Sequence, residues 1–155
     1  MISGGREEEA EALLRKVLTD RPDHPAAGLM VASLLLDRDE PEAALEVLER
    51  LPATPDVTRL MAGARLGSAG EQGLPSLETA VAADPEDHAA RISLGRALMT
   101  AGRPQEGLER LLEVIEAKND WSDEARQAFL DVLEVLGADH VLAVDYRRRL
   151  ANALF

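Results

Sequence analysis

Small and apolar residues recur along this chain at a fixed interval, and that interval restricts the fold more than any other feature. Ala10 and Leu14 reappear as Ala44 and Leu48, and Val17 as Leu51, each 34 residues further on. Leu77 and Ala80 reappear as Leu111 and Val114 at the same interval of 34. Between Leu48 and Leu77 the offset is only 29, so the middle copy is short. A period of this size marks one supersecondary unit copied along the chain. Each copy can hide its apolar face only against its neighbours, so the copies must stack.

Within a copy the apolar spacing is helical. The clearest copy reads Arg91-Ile92-Ser93-Leu94-Gly95-Arg96-Ala97-Leu98, then Gly107-x3-Leu111; an earlier one reads Gly28-Leu29-Met30-Val31-Ala32-Ser33-Leu34-Leu35, then Ala44-x3-Leu48. This resembles the tetratricopeptide repeat, a helix–turn–helix unit with a W-x2-L-G-x2-Y element, then A-x3-F, then Pro. Leucine takes the aromatic places, in keeping with an aromatic content of 3 %. Small residues at Ala32 and Gly95, and at Ala10 and Ala44, allow paired helices to approach closely. The expected fold is all-α: tetratricopeptide hairpins stacked in a right-handed superhelix, without a sheet.

Turn chemistry agrees with that phase. Arg21-Pro22-Asp23-His24-Pro25 and Asp84-Pro85-Glu86-Asp87-His88 read as helix stops followed by restarts. Asp39-Glu40-Pro41 and Gly102-Arg103-Pro104 read as tight turns inside repeats, with proline in the first turn of the next helix, where its missing N–H costs nothing. The expected helices are 6–20, 25–37, 41–51, 55–67, 73–83, 88–101, 104–117, 122–136 and 139–153. Gly67, Gly70, Gly73 and Pro75 disfavour helix between the fourth and fifth. Together these make one domain over 1–155, with repeat cores near 6–22, 25–51, 55–83 and 88–117 and a C-terminal pair over 122–153.

An odd number of helices leaves one without a mate. Helix 6–20 has the pattern of a second helix, and Leu13, Leu14, Val17 and Leu18 are under-covered at that edge. An upstream segment, or a second chain in a homodimer through this edge, is expected to cover them.

Composition removes several function classes. There is no cysteine, which excludes disulfides, thiol catalysis and thiolate metal sites and fits a reducing compartment. No apolar run approaches the roughly 20 residues of a membrane span, and the start, Met1 to Arg6, lacks the apolar core of a signal peptide. The cytoplasm is the expected location. A net charge of −12 repels phosphate backbones, so nucleic acid is not an expected partner. His24, His88 and His140 show no convergence towards a metal and read as surface side chains. The run Glu7-Glu8-Glu9 suits a helix N-terminus rather than acid–base chemistry. Ser3-Gly4-Gly5 and Gly67-Ser68-Ala69-Gly70 lack the lysine and the strand–helix setting of a phosphate loop. The chain is expected to be no enzyme and to need no cofactor and no metal.

Binding surfaces are what the pattern leaves. Repeat arrays bind along a concave face lined by the first helix of each pair. Here that face is expected to show Leu29, Ser33 and Leu36, then Ile92, Arg96 and Met99; the alternative is that these side chains are inter-repeat core. Many tetratricopeptide domains grip the carboxylate tail of heat-shock chaperones with Lys, Arg and Asn at such places; only Arg96 could do so here, and an apolar groove suits unfolded segments better. In the last helix, Leu142, Tyr146, Leu150, Ala153 and Leu154 form one apolar arc at about 100° per residue. That arc is expected to dock on helix 122–136 through Phe129, Val132, Leu133 and Leu136. Val144, Ala151 and Phe155 fall outside it, flanked by Arg147 and Arg148, which is the composition of a contact surface.

The C-terminal half also resembles a narrower family. Gly102-Arg103 with Leu108-Glu109-Arg110-Leu111-Leu112, then Phe129-x3-Leu133-x2-Leu136-Gly137, then Tyr146-Arg147-Arg148-x-Leu150, are similar to the tetratricopeptide region of bacterial thioredoxin-like chaperones, the chaperedoxins. The resemblance implies protection of unfolding clients and their transfer to a chaperonin, with the C-terminal helix in that contact. It departs in lacking a thioredoxin domain and any Trp-Cys-x-x-Cys motif. A generic scaffold that assembles a complex without a chaperone role is the alternative.

Overall fold

A computed structural model describes residues 3–68 and 73–155. Among them all regular structure is helical: α1 (Ser3–Asp20), α2 (Pro25–Asp37), α3 (Pro41–Leu48), α4 (Pro55–Ser68), α5 (Leu74–Ala83), α6 (His88–Thr100), α7 (Pro104–Glu116), α8 (Ser122–Leu136) and α9 (Val141–Leu154). The all-α expectation holds, and most boundaries agree within two residues. Residues 69–72, part of the expected glycine break, lie outside the described residues; Gly67 and Ser68 belong to α4. α3 stops at Leu48 rather than 51, because Pro52 disfavours helical backbone at the residue before it. Leu51 instead closes a turn, donating its N–H to the Leu48 carbonyl, and is buried.

Proline and side-chain caps start these helices. Pro25, Pro41 and Pro104 open α2, α3 and α7. The Asp87 carboxylate accepts the Ala90 N–H at 2.9 Å to cap α6, and the Thr54 hydroxyl accepts the Val57 N–H at 3.3 Å at the start of α4. Inside the α2–α3 and α6–α7 hairpins one residue of the turn must be left-handed. Asp39 (φ 61°) does this in the first and Gly102 (φ 76°) in the second. Aspartate is among the few side chains that tolerate this conformation.

The chain divides into two compact units, 1–64 and 65–155. In the first, α1 packs on α2 and α2 on α3. Its core joins Val31, Ala32, Leu35, Ala44, Leu48, Leu51 and Val57. In the second, α6 and α7 form the central hairpin, α5 packs on α6, and α8 packs on both α6 and α7. Phe129, Ile92, Leu108 and Leu111 lie at the centre of its larger cluster, all fully buried. Asp131 is buried with them, accepting two bonds from the Arg65 guanidinium, at 2.5 and 2.8 Å, and one from Gln127.

Glycine sets the spacing of the second hairpin. A Cβ at Gly107 would lie 2.6 Å from the backbone carbonyl oxygen of Gly95, and one at Gly95 would lie 2.6 Å from Leu111 Cγ. Ala32 and Ala44, both without solvent exposure, hold the matching places in the first hairpin.

Candidate protein-binding surfaces

The first surface is a groove in the first unit. Glu7, Ala10 and Leu14 of α1 form one wall, and Leu29, Met30, Ser33 and Leu34 of α2 form the other, around about 390 Å³. The α1 positions fall at helical spacing, and the α2 positions make two adjacent rows on one face. Leu29 and Ser33 are therefore where the sequence places them. Leu36 is not part of the groove; it packs against the core beside Val31 and Leu35. Met30, 55 % exposed, and Leu34 were not foreseen, though both extend the stripe that Leu29 and Ser33 begin. Leu13 and Val17 on α1 are also exposed, in line with the expected under-covered edge, while Leu14 and Leu18 lean on the core.

The second unit corrects the expected continuation of that groove. Ile92 has no exposure and belongs to the core with Leu108 and Leu111. Met99 packs against the same cluster. α8 lies on α6 and covers the face that would otherwise be open. Arg96 is largely covered, reaches Glu124 at 3.6 Å, and has a buried Nε without a hydrogen-bond partner. Within the second unit this trio is therefore buried or partly buried.

The second surface is α9. Its buried side is Ala143, Tyr146 and Leu150, and it rests on α7 as well as α8, not on α8 alone. The Tyr146 ring meets Phe129 with centroids 6.2 Å apart at 55°, a tilted aromatic pair. The Tyr146 hydroxyl donates to Glu109 on α7, and Arg149 forks onto both oxygens of the same carboxylate while lying 4.7 Å above the tyrosine ring. Arg149, which the sequence pattern passed over, is thus the arginine that fastens the helix. Leu154 lies largely outside the docked arc at 41 % exposure, while Leu142 and Ala153 are partly buried.

The opposite side of α9 is open. Val144 is 59 % exposed, Val141 81 %, and Phe155 is fully exposed. Asp139, Val141, Val144, Asp145 and Arg148 border a shallow groove of about 420 Å³. Arg148 pairs with Asp145 at 2.6 Å, and Arg147 donates to the Ala138 carbonyl at 2.9 Å. Both guanidinium groups stay at the surface beside the apolar strip. Val141 was missed; it lies one turn before Val144 on the same face.

The environment of Tyr146 makes a pH test. Burial pushes its phenol up to about 12, helped by the bond to Glu109, while Arg149 and then the phenol hold the Glu109 carboxyl low. A phenol raised in the folded chain stabilises the fold fully below its ordinary value near 10 and loses that contribution as pH rises towards 12. Tyr146 is the chain's one tyrosine, so phenolate absorbance reports it alone. We expect it to ionise with alkaline unfolding in that window. Glu109→Gln should move the transition down only partway, because burial is the larger cause. Ionisation of the folded chain at the ordinary value would contradict this packing.

His140 is exposed and His24 and His88 partly so, and each makes a hydrogen bond. His24 and His140 accept the Ala27 and Leu142 N–H groups through Nδ1, capping α2 and α9. His88 meets the Asn119 amide nitrogen through Nε2 at 3.0 Å. Asn119 Oδ1 accepts the Trp121 N–H, which orients that amide. Among the described residues no cluster of three or more His, Asp or Glu could hold a metal ion, and no helix is long and apolar enough to cross a membrane.

Comparison with known proteins settles the family. A tetratricopeptide repeat profile matches residues 68–155, more than half of the chain, and a second tetratricopeptide repeat profile matches residues 1–65. The chain belongs to the tetratricopeptide repeat family. As a tetratricopeptide protein it is a protein–protein interaction module, and repeats of this family are in general not catalysts. Among solved structures it is similar to a domain of protein VP0806, of unknown function, from Vibrio parahaemolyticus. The identity is 28 % with a TM-score of 0.50, over 97 % of this chain and 93 % of that one. No curated protein matches the chain.

Proposed function

We propose that this tetratricopeptide protein works in the cytoplasm as the client-holding and chaperonin-docking part of a thioredoxin-like chaperone system. The observation that carries the reading is the open strip of α9, where Val141, Val144 and Phe155 stand in solvent beside Arg147 and Arg148. Large exposed apolar groups rimmed by arginine are typical of contact sites. The sequence resemblance to chaperedoxins, whose C-terminal helix meets the chaperonin, supports the same assignment. The apolar groove between α1 and α2 is the complementary element, suited to exposed segments of unfolding clients. The test replaces Val144 and Arg148 by Glu and Phe155 by Ser, leaving Tyr146, Arg149 and Leu150 in place. Helicity should stay near wild type while binding to purified chaperonin falls by about tenfold or more, the scale of one lost anchor. Unchanged chaperonin binding by a folded variant would leave a generic scaffold as the better reading.

A further inference from the structure

We infer that the groove between α1 and α2 takes short apolar peptide segments that carry a Lys or Arg next to their apolar residues, with the base held at the Glu7 end. The inference rests on the client-holding reading and adds the chemistry of the segment held.

The apolar part of the site is Ala10, Leu14, Leu29, Met30 and Leu34, with Ser33 contributing one exposed hydroxyl. From Glu7 to Leu14 the α1 wall is about 10 Å long, room for roughly three extended residues. Met30 is exposed, and its flexible thioether can adapt to side chains of different shape. What distinguishes the site is its charge. Among the described residues Glu7 is the one ionisable group lining it, and no cation lines it. Glu7 has neither an ion pair nor a hydrogen bond from its side chain among the described residues. The nearest ion pairs on this helix are made one turn further on, where Arg15 and Arg38 both bind Glu11, at 2.8 and 2.5 Å. A segment bearing a base beyond its apolar residues therefore meets an unpaired carboxylate, and one bearing an acid meets like charge. The net charge of −12 adds attraction of the same sign at longer range.

The experiment measures the affinity of the full chain for labelled synthetic peptides that share one leucine–valine core and are flanked by Arg, by Gln or by Glu. At low salt the Arg-flanked peptide should bind about fivefold tighter than the Glu-flanked one, and added salt should shrink that ratio. Glu7→Gln should reduce that ratio to the part left by the net charge, about twofold, and Glu7→Lys should reduce it further. Met30→Glu should weaken every peptide by about tenfold. Both positions are exposed, so circular dichroism should report an unchanged fold. If the peptides bind through Met30 with equal affinities, or if Glu7→Lys leaves the ratio unchanged, the inference is overturned and the client-holding reading stands. If no peptide binds, or Met30→Glu has no effect, both are overturned. An oligomer that Met30→Glu dissociates would assign the groove to a second copy of the chain, which also overturns the inference.

Discussion

Phe129→Ala should lower the stability of the C-terminal unit by about 3–5 kcal/mol, the range for truncating a fully buried aromatic ring. Phe129 has no exposure and belongs to the cluster that joins α7, α8 and α9. Its removal takes away the ring against which Tyr146 rests and leaves a void among Leu111, Val132 and Leu133. The surrounding helices close such a void only in part. Urea unfolding followed by circular dichroism measures the loss. Leu130→Ala, at the next position but 44 % exposed, is the control and should change stability by only about 0.5 kcal/mol. Equal effects at the two positions would mean that α8 turns a different face to the core. Tyr146 supplies a second readout. Without Phe129 its phenol should ionise closer to the ordinary value, because burial is the main cause of its elevation.

Gly107→Ala should cost about 2–3 kcal/mol, although alanine is the better helix former. The added Cβ would stand 2.6 Å from the Gly95 carbonyl oxygen, and that atom belongs to the facing helix backbone, which cannot swing aside as a side chain can. The α6–α7 hairpin would have to open. Gly63→Ala gives the opposite sign. Gly63 also lies in a helix, and none of the described residues stands within 4 Å of the Cβ position. There the propensity gain of about 0.5–1 kcal/mol is expected to appear as added stability. Thermal melts of the two variants should move in opposite directions. A Gly107→Ala protein as stable as wild type would show that the two helices do not approach so closely.

The two substitutions separate what periodicity can reveal from what it cannot. Small residues at matching places of the repeats marked where paired helices meet, and Ala32 and Ala44 of one hairpin stand 63 positions before Gly95 and Gly107 of the other. Periodicity also distinguished the docked side of α9 from Val144, Arg148 and Phe155, because a helix shows only part of its circumference to one neighbour. It did not distinguish an open face from one covered by the next helix. Leu29 and Ile92 stand at the same position of their repeats and carry similar side chains. One lines a groove, and the other lies in the core beneath α8. Nor did it rank the three arginines of α9. Arg147 and Arg148 remain at the surface, and Arg149 reaches Glu109 on α7.

What the sequence determined by itself is local and repeated: helices at 3.6-residue spacing, prolines and capping side chains at their starts, left-handed residues in the hairpin turns, and small residues at helix contacts. These follow from interactions within a few turns of chain, so each copy of the repeat states them again. The tertiary structure alone decided which apolar stripes remain open and which carboxylate holds Tyr146 and Arg149 together. Those outcomes depend on residues up to 40 positions apart in sequence, as Glu109 and Arg149 are. Their side chains meet only after the helices have packed, and no local pattern encodes which partner will be in reach.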